Sequence, residues 1–225
     1  MVKNIKTNIM FKSIKTGVLA AILISTAIIA HAQKKLSEGT LVYGLDYKVA
    51  IPGAPSENKI KFNGDISKME INAGPATIGV FMDFQSGTGL VLVDVPVAQM
   101  QKAAKLTKTD IEEMNATKPK LSDFKATGEK AVIAGYNAEK YTYKNDKGES
   151  AEMWATTELE LPLNLVTSEF KDFKGTVIKF SDSKATVTLK SVNDAKVGVL
   201  SVTTIPTGYD EITYAELKAM QGGGE

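Results

Sequence analysis

Cysteine and arginine are absent from this chain, and its one histidine, His31, stands in an apolar N-terminal stretch. Each absence removes a class of chemistry. Without cysteine there is no thiol nucleophile, no thiolate metal ligand and no disulfide. Without histidine beyond residue 31, the Ser-His-Asp and Cys-His arrangements of nucleophilic catalysis cannot be assembled. Without arginine, bidentate clamping of phosphate or carboxylate is lost. Lysine is the only strong base in the body of the chain, and no long basic cluster is present, so nucleic acid is not an expected partner. The inventory points to a protein that binds, and no enzymatic activity, cofactor or metal is expected.

The N-terminus carries Lys3, Lys6, Lys12 and Lys15, then an uncharged run from Gly17 to Ala30, then Ala30-His31-Ala32. A basic stretch, a short apolar core and a small-x-small site make a secretory signal peptide. Cleavage is expected between Ala32 and Gln33, and the apolar run is shorter than the ~20 residues of a spanning helix. No cysteine follows it, so lipid attachment is not expected. The expected product is periplasmic or secreted, with no transmembrane segment. Roughly 190 residues then remain, enough to bury one full core without disulfides. The leader takes four lysines and no acid with it, which turns the whole-chain net charge of +1 slightly negative. The expected organisation is a signal peptide over 1–32, one β-rich domain over 33–221 and a flexible tail over 222–225.

What is present is period two, the mark of strands. Leu41, Tyr43, Leu45, Tyr47 and Val49 alternate with Val42, Gly44, Asp46 and Lys48. Further strands are expected at Lys59–Phe62, Ile66–Ile71, Thr77–Phe84, Thr88–Val95, Lys140–Lys144, Glu149–Thr156, Thr176–Phe180, Ala185–Val192 and Val197–Ile205. Asn63-Gly64, Ser86-Gly87, Asn145–Gly148, Asp182-Ser183 and Asn193-Asp194 supply the turns. Two segments break the period: Val97–Met114, read as two short helices with a capping box at Thr109 and Glu112, and Ile212–Met220. The expected fold is mainly β, a curved antiparallel sheet or incomplete barrel of about nine or ten strands with one or two lid helices.

Carboxylates remain as acid/base groups. Two suffice for glycoside hydrolysis, which makes Asp110, Glu112 and Glu113, and Glu158 with Glu160, the candidates for catalysis. A solvated helix face and an exposed edge explain the same residues. Asn145–Glu149 and Asp182-Ser183 resemble oxygen-rich calcium loops, but hairpin turns favour the same types. Lys68 and Lys140 are the candidates for an amine nucleophile, although alternation places strand lysines on the outer face.

The apolar strand surface is more suggestive. Thr88–Val95 and Val197–Ile205 are apolar on both faces, which fits a sheet covered on both sides. Such a sheet can hold an ordinary core or enclose a greasy ligand. The expected walls of that hydrophobic cavity are Tyr43, Tyr47, Met69, Phe81, Val91, Val93 and Trp154.

Gly128, Ile133, Gly135, Tyr136, Lys140, Tyr141, Glu152, Trp154 and Thr156 form a pattern that resembles a bacterial family of the Bacteroidota, domain of unknown function 4412. Phe62-Asn63-Gly64-Asp65 and Ile205-Pro206-Thr207-Gly208-Tyr209 fit the same pattern. The resemblance implies export and a fold like the lipoprotein carriers LolA and LolB, an incomplete antiparallel barrel lidded by helices that shelters acyl chains. The expected function is a non-catalytic binding or carrier protein of the cell envelope, holding an acyl chain, lipid or lipidated peptide. The alternative is an envelope interaction or structural module that contacts a protein partner.

Overall fold

Twelve strands share one mixed sheet in a computed structural model that describes residues 33–182 and 184–222. The signal peptide and its cleavage site lie outside the described residues, as do positions 223–225 of the expected tail. Gly222 is the last residue of a helix.

In chain order the strands are β1 (Lys34–Lys35), β2 (Glu38–Tyr47), β3 (Glu57–Asn63), β4 (Ile66–Ala73), β5 (Ala76–Asp83), β6 (Thr88–Val95) and β7 (Met100–Leu106). Helix α1 (Lys108–Ala116) follows, then β8 (Ser122–Ile133), β9 (Tyr136–Lys144), β10 (Ser150–Thr156), β11 (Leu159–Glu160), β12 (Thr176–Ser181), β13 (Ala185–Asn193), β14 (Asp210–Ile212) and α2 (Tyr214–Gly222). The sheet order is β14-β7-β6-β5-β4-β3-β2-β13-β12-β10-β9-β8, and β1 and β11 form a separate parallel ribbon. Only the β14–β7 pairing within the large sheet is parallel. The two outermost strands, β14 and β8, do not pair, so the sheet is open and not a closed barrel. Hairpins between sequence neighbours explain most of this order, as the period-two pattern and its turns require.

The inner face carries Leu41, Tyr43, Ile60 and Phe62 toward one end of the sheet and Val91, Val93, Ala104 and Leu106 toward the other. Two kinds of cover lie on it. Ile111 of α1 and Leu217 of α2 seal the β6–β7 region, while the irregular run 161–173 seals β9, β10, β12 and β13. Leu165 packs against both clusters and joins the two covers. Each helix opens on a reciprocal cap. The Thr107 hydroxyl accepts from the Asp110 amide at 3.2 Å and the Asp110 carboxylate accepts from the Thr107 amide at 2.8 Å. Thr213 and Glu216 repeat the arrangement at α2. The cap of α1 is thus two residues earlier than Thr109 and Glu112.

Two expected elements are different. Within Val97–Met114, Met100–Leu106 is strand β7 and not helix. Ala103 and Ala104 are fully buried on its opposite faces, and ladders to β6 and β14 override the helical preference of alanine and lysine. Val197–Ile205 is not a strand but part of a strap that crosses the outer face, where Val202, Ile205 and Tyr209 pack on Leu90, Ala103 and Phe81. Two side-chain acceptors, one distant in sequence and one local, hold it out of the ladder. Glu38 Oε1 accepts the Val197 and Gly198 amides at 2.8 and 3.1 Å, and the Ser201 hydroxyl accepts those of Thr203 and Thr204. Strand β6 is therefore apolar on both faces because helices cover one and the strap the other.

Candidate functional site

The feature that sets the site is a fork in the sheet. Strands β10 and β12 pair from Met153–Phe180 to Thr156–Thr176, and the earlier residues of β10 have no partner on β12. They remain paired with β9, while Lys179–Ser181 remain paired with β13. An open cleft of about 950 Å³ lies at the fork and takes side chains from both faces. Trp154 stands on the outer face between Lys140 and Lys179, its register partners on β9 and β12. Tyr143, Ala151 and Phe180 come from the inner face, and Leu121 and Pro119 from the chain entering β8.

An aromatic chain holds the inner side of this cleft. Phe180 meets Phe170 at 5.0 Å, Phe170 meets Tyr143 at 5.5 Å, and Tyr143 continues through Phe124 and Phe173 to Tyr141. Edge-to-face contacts of this kind add to area burial, and they pin the turn Ser168–Phe170 over β9 and β12. Asn164 fixes the start of that run, its side-chain oxygen accepting the Val166 and Thr167 amides. A smaller cavity of about 170 Å³ lies within the same irregular run, bounded by Pro162, Phe170 and Phe173.

Glu169 is delivered to the cleft by this arrangement. Burial raises its carboxyl above the ordinary range, repulsion from Asp182 adds to the effect, and Lys118 opposes it. The Tyr143 phenol is pushed up to about 12 by burial, with Glu169 and Asp182 adding to the shift. Asp182 is committed to its turn, accepting the Lys184 and Ala185 amides at 2.6 and 2.7 Å.

The structure places the seven expected wall residues in different surroundings. Tyr43 and Met69 belong to the cluster under run 161–173, and Val91 and Val93 to the cluster under the helices. Tyr47 is half-buried at the end of β2. Phe81 is on the outer face beneath the strap. Trp154 alone of the seven lines the cleft. The Tyr43 hydroxyl is buried beside the Asn164 side chain without satisfying hydrogen-bond geometry, and burial pushes its phenol up.

The other candidates are occupied by structural contacts. Asp110 caps α1, Glu113 meets Lys218, Glu160 pairs with Lys35, and Glu158 takes both the backbone and side-chain amides of Asn137. In the Asn145–Glu149 loop, the Asn145 oxygen accepts the Lys147 and Glu149 amides, the pattern of a turn. Lys68 pairs with Glu70 and sits over the Phe81 ring. Lys140 bridges Glu129 and Glu152, and these carboxylates raise its pKa and keep it charged. Among the described residues, no group of three or more acidic side chains is placed to hold a metal ion, and no helix is long and apolar enough to cross a membrane.

Glu169 escaped the sequence reading. Its signal is a lone acid in an otherwise uncharged apolar run, Leu161 to Phe170. The fold defines a class, an open mainly β sheet covered on its inner face by helices and an irregular run. No protein-family model matches the chain, and no curated protein matches it.

Proposed function

We propose that this is an exported, non-catalytic binding or carrier protein of the cell envelope, and that its hydrophobic ligand is an acyl chain or lipidated peptide held at the fork between β10 and β12. The observation that carries this reading is the 950 Å³ cleft with Trp154, Tyr143, Phe180 and Leu121 among its walls. Apolar and aromatic side chains share this cleft with a larger number of charged ones, a mixture that suits an amphiphile whose tail is sheltered while its head stays solvated. The likeness to domain of unknown function 4412 and to LolA and LolB supports the same reading, as does the signal-like N-terminus, which directs the chain to the periplasm or beyond.

The test is native mass spectrometry of mature protein purified from its own envelope fraction. A lipid or lipopeptide bound at one per chain supports the reading and names the cargo. A bare mass that stays unchanged after incubation with envelope lipids overturns it. A protein that instead co-purifies in fixed ratio favours the envelope interaction module.

A further inference from the structure

The cleft is lined by five carboxylates, Asp46, Glu149, Glu152, Glu169 and Asp182, against three lysines. Most of these charges are spoken for. Glu152 pairs with Lys140, Glu149 accepts from the Asn145 amide, and the Lys48 ammonium donates to the Asp182 carbonyl. Glu169 is different: it makes no hydrogen bond or ion pair with any described residue, and neither Lys48 nor Lys118 is within ion-pair distance of it. Tyr143 supplies an independent observation. It is only 7 % exposed and lines the cleft, yet its hydroxyl makes no hydrogen bond to any described residue. Among the described residues, the buried side-chain atoms left without a partner are the Tyr43 hydroxyl and Ser67 Oγ, so the Tyr143 hydroxyl opens on the cleft, where it offers a free acceptor near a carboxylate that no ion pair holds.

We infer that the inner end of the cleft is a recognition site for an organic ammonium group, with Glu169 as its counter-charge, the Tyr143 oxygen as a hydrogen-bond acceptor, and the Tyr143 and Phe180 rings as walls. An ammonium group supplies what the site lacks. It donates to a carboxylate and a phenol oxygen together, and its positive charge is favoured against aromatic faces. The half-buried state of Glu169, which burial and Asp182 make unfavourable for its own charge, is relieved by such a partner. Lys179 is on the outer face with Trp154, on the other side of the strand from Phe180, and so does not neutralise this end. The inference rests on the cleft being the ligand site and narrows the ligand to an amine-bearing amphiphile.

The experiment uses the single tryptophan as reporter, since Trp154 lines the same cleft. Mature protein is titrated with dodecylammonium, dodecanol and dodecanoate, each below its micelle-forming concentration, with Trp154 emission read throughout. Dodecylammonium is expected to bind roughly ten-fold tighter than the other two, the size of one charge-assisted hydrogen bond. E169Q is expected to remove that preference while still binding dodecanol, and Y143F to reduce it in part. A thermal melt of each variant verifies that the fold is kept. Equal binding of all three probes, tighter binding of dodecanoate, or an unchanged preference in E169Q overturns the ammonium site and leaves the amphiphile reading intact. No emission change with any probe overturns the cleft as ligand site altogether.

Discussion

The ring of Phe170 stands edge-on to that of Tyr143, with centroids 5.5 Å apart and planes at 87°. This contact ties the irregular run over the inner face to strand β9, and it sets the residue before it, Glu169, at the cleft. Phe170 is nearly buried and also meets Phe180. Phe170→Ala should therefore cost about 3–5 kcal/mol, the range for truncating a core aromatic ring. Urea unfolding measures it, and a cost below ~1 kcal/mol would mean that the run is held by other contacts.

Glu169 should act against stability at neutral pH. Burial first, then repulsion from Asp182, raises its folded-state pKa above the unfolded value, so the folded state binds the proton more readily. Its contribution is fully present below the unfolded pKa and is lost as pH rises through the folded one. Glu169→Gln should unfold at higher temperature than the wild type at pH near 7, and the gain should fade as pH drops below the ordinary carboxylate range. Thermal melts across that window measure it. A variant less stable at neutral pH would contradict the assignment.

Glu38 anchors the strap to the sheet. One carboxylate oxygen accepts the Val197 and Gly198 amides, and the Asn63 side chain donates to that oxygen at 3.4 Å and to the Gly198 carbonyl at 2.9 Å. Glu38→Ala should cost about 1–3 kcal/mol. Amide exchange should then accelerate over the strap more than in β6 beneath it. Uniform acceleration would instead mark Glu38 as part of the global core.

The β8–β9 hairpin turns through Ala134 and Gly135, both at positive φ, 53° and 86°. Alanine in that conformation carries a strain of about 1 kcal/mol, which glycine or asparagine avoids. Ala134→Asn should raise stability by roughly that amount, read as a shift in the denaturation midpoint. Gly135→Ala should lower it.

The hairpins were legible because their turns carry Asn, Asp and Gly between alternating residues, as at Gly64 and at Asn145–Gly148. Strand β8 was not, because it is an exposed outer strand with lysines and acids on both faces and irregular register, so no apolar alternation marks it. Its turn at Ala134 has no strong turn former in the first position. Strand β7 carries helix-forming alanine and lysine, and only its neighbours decide its state. The strap has the alternation of a strand, but Glu38, distant in sequence, takes its amides. The site depends on the same long-range effects. The strand pattern marks Trp154, but the fork that opens beside it follows from where β10 and β12 stop pairing. Tyr143, Glu169 and Asp182 are far apart in the chain and are brought to one cleft by the pairing of β10 with β9 and β12 and by the aromatic contacts that seat Phe170.

The most direct measurement is hydrogen–deuterium exchange of the mature protein with and without its co-purified or added amphiphile. Protection is expected around residues 143–154, at Glu169 and at residues 179–182, on both sides of the fork. Protection centred instead on Val91, Val93 and Leu217 would place the ligand beneath the helices and contradict the cleft as the binding site.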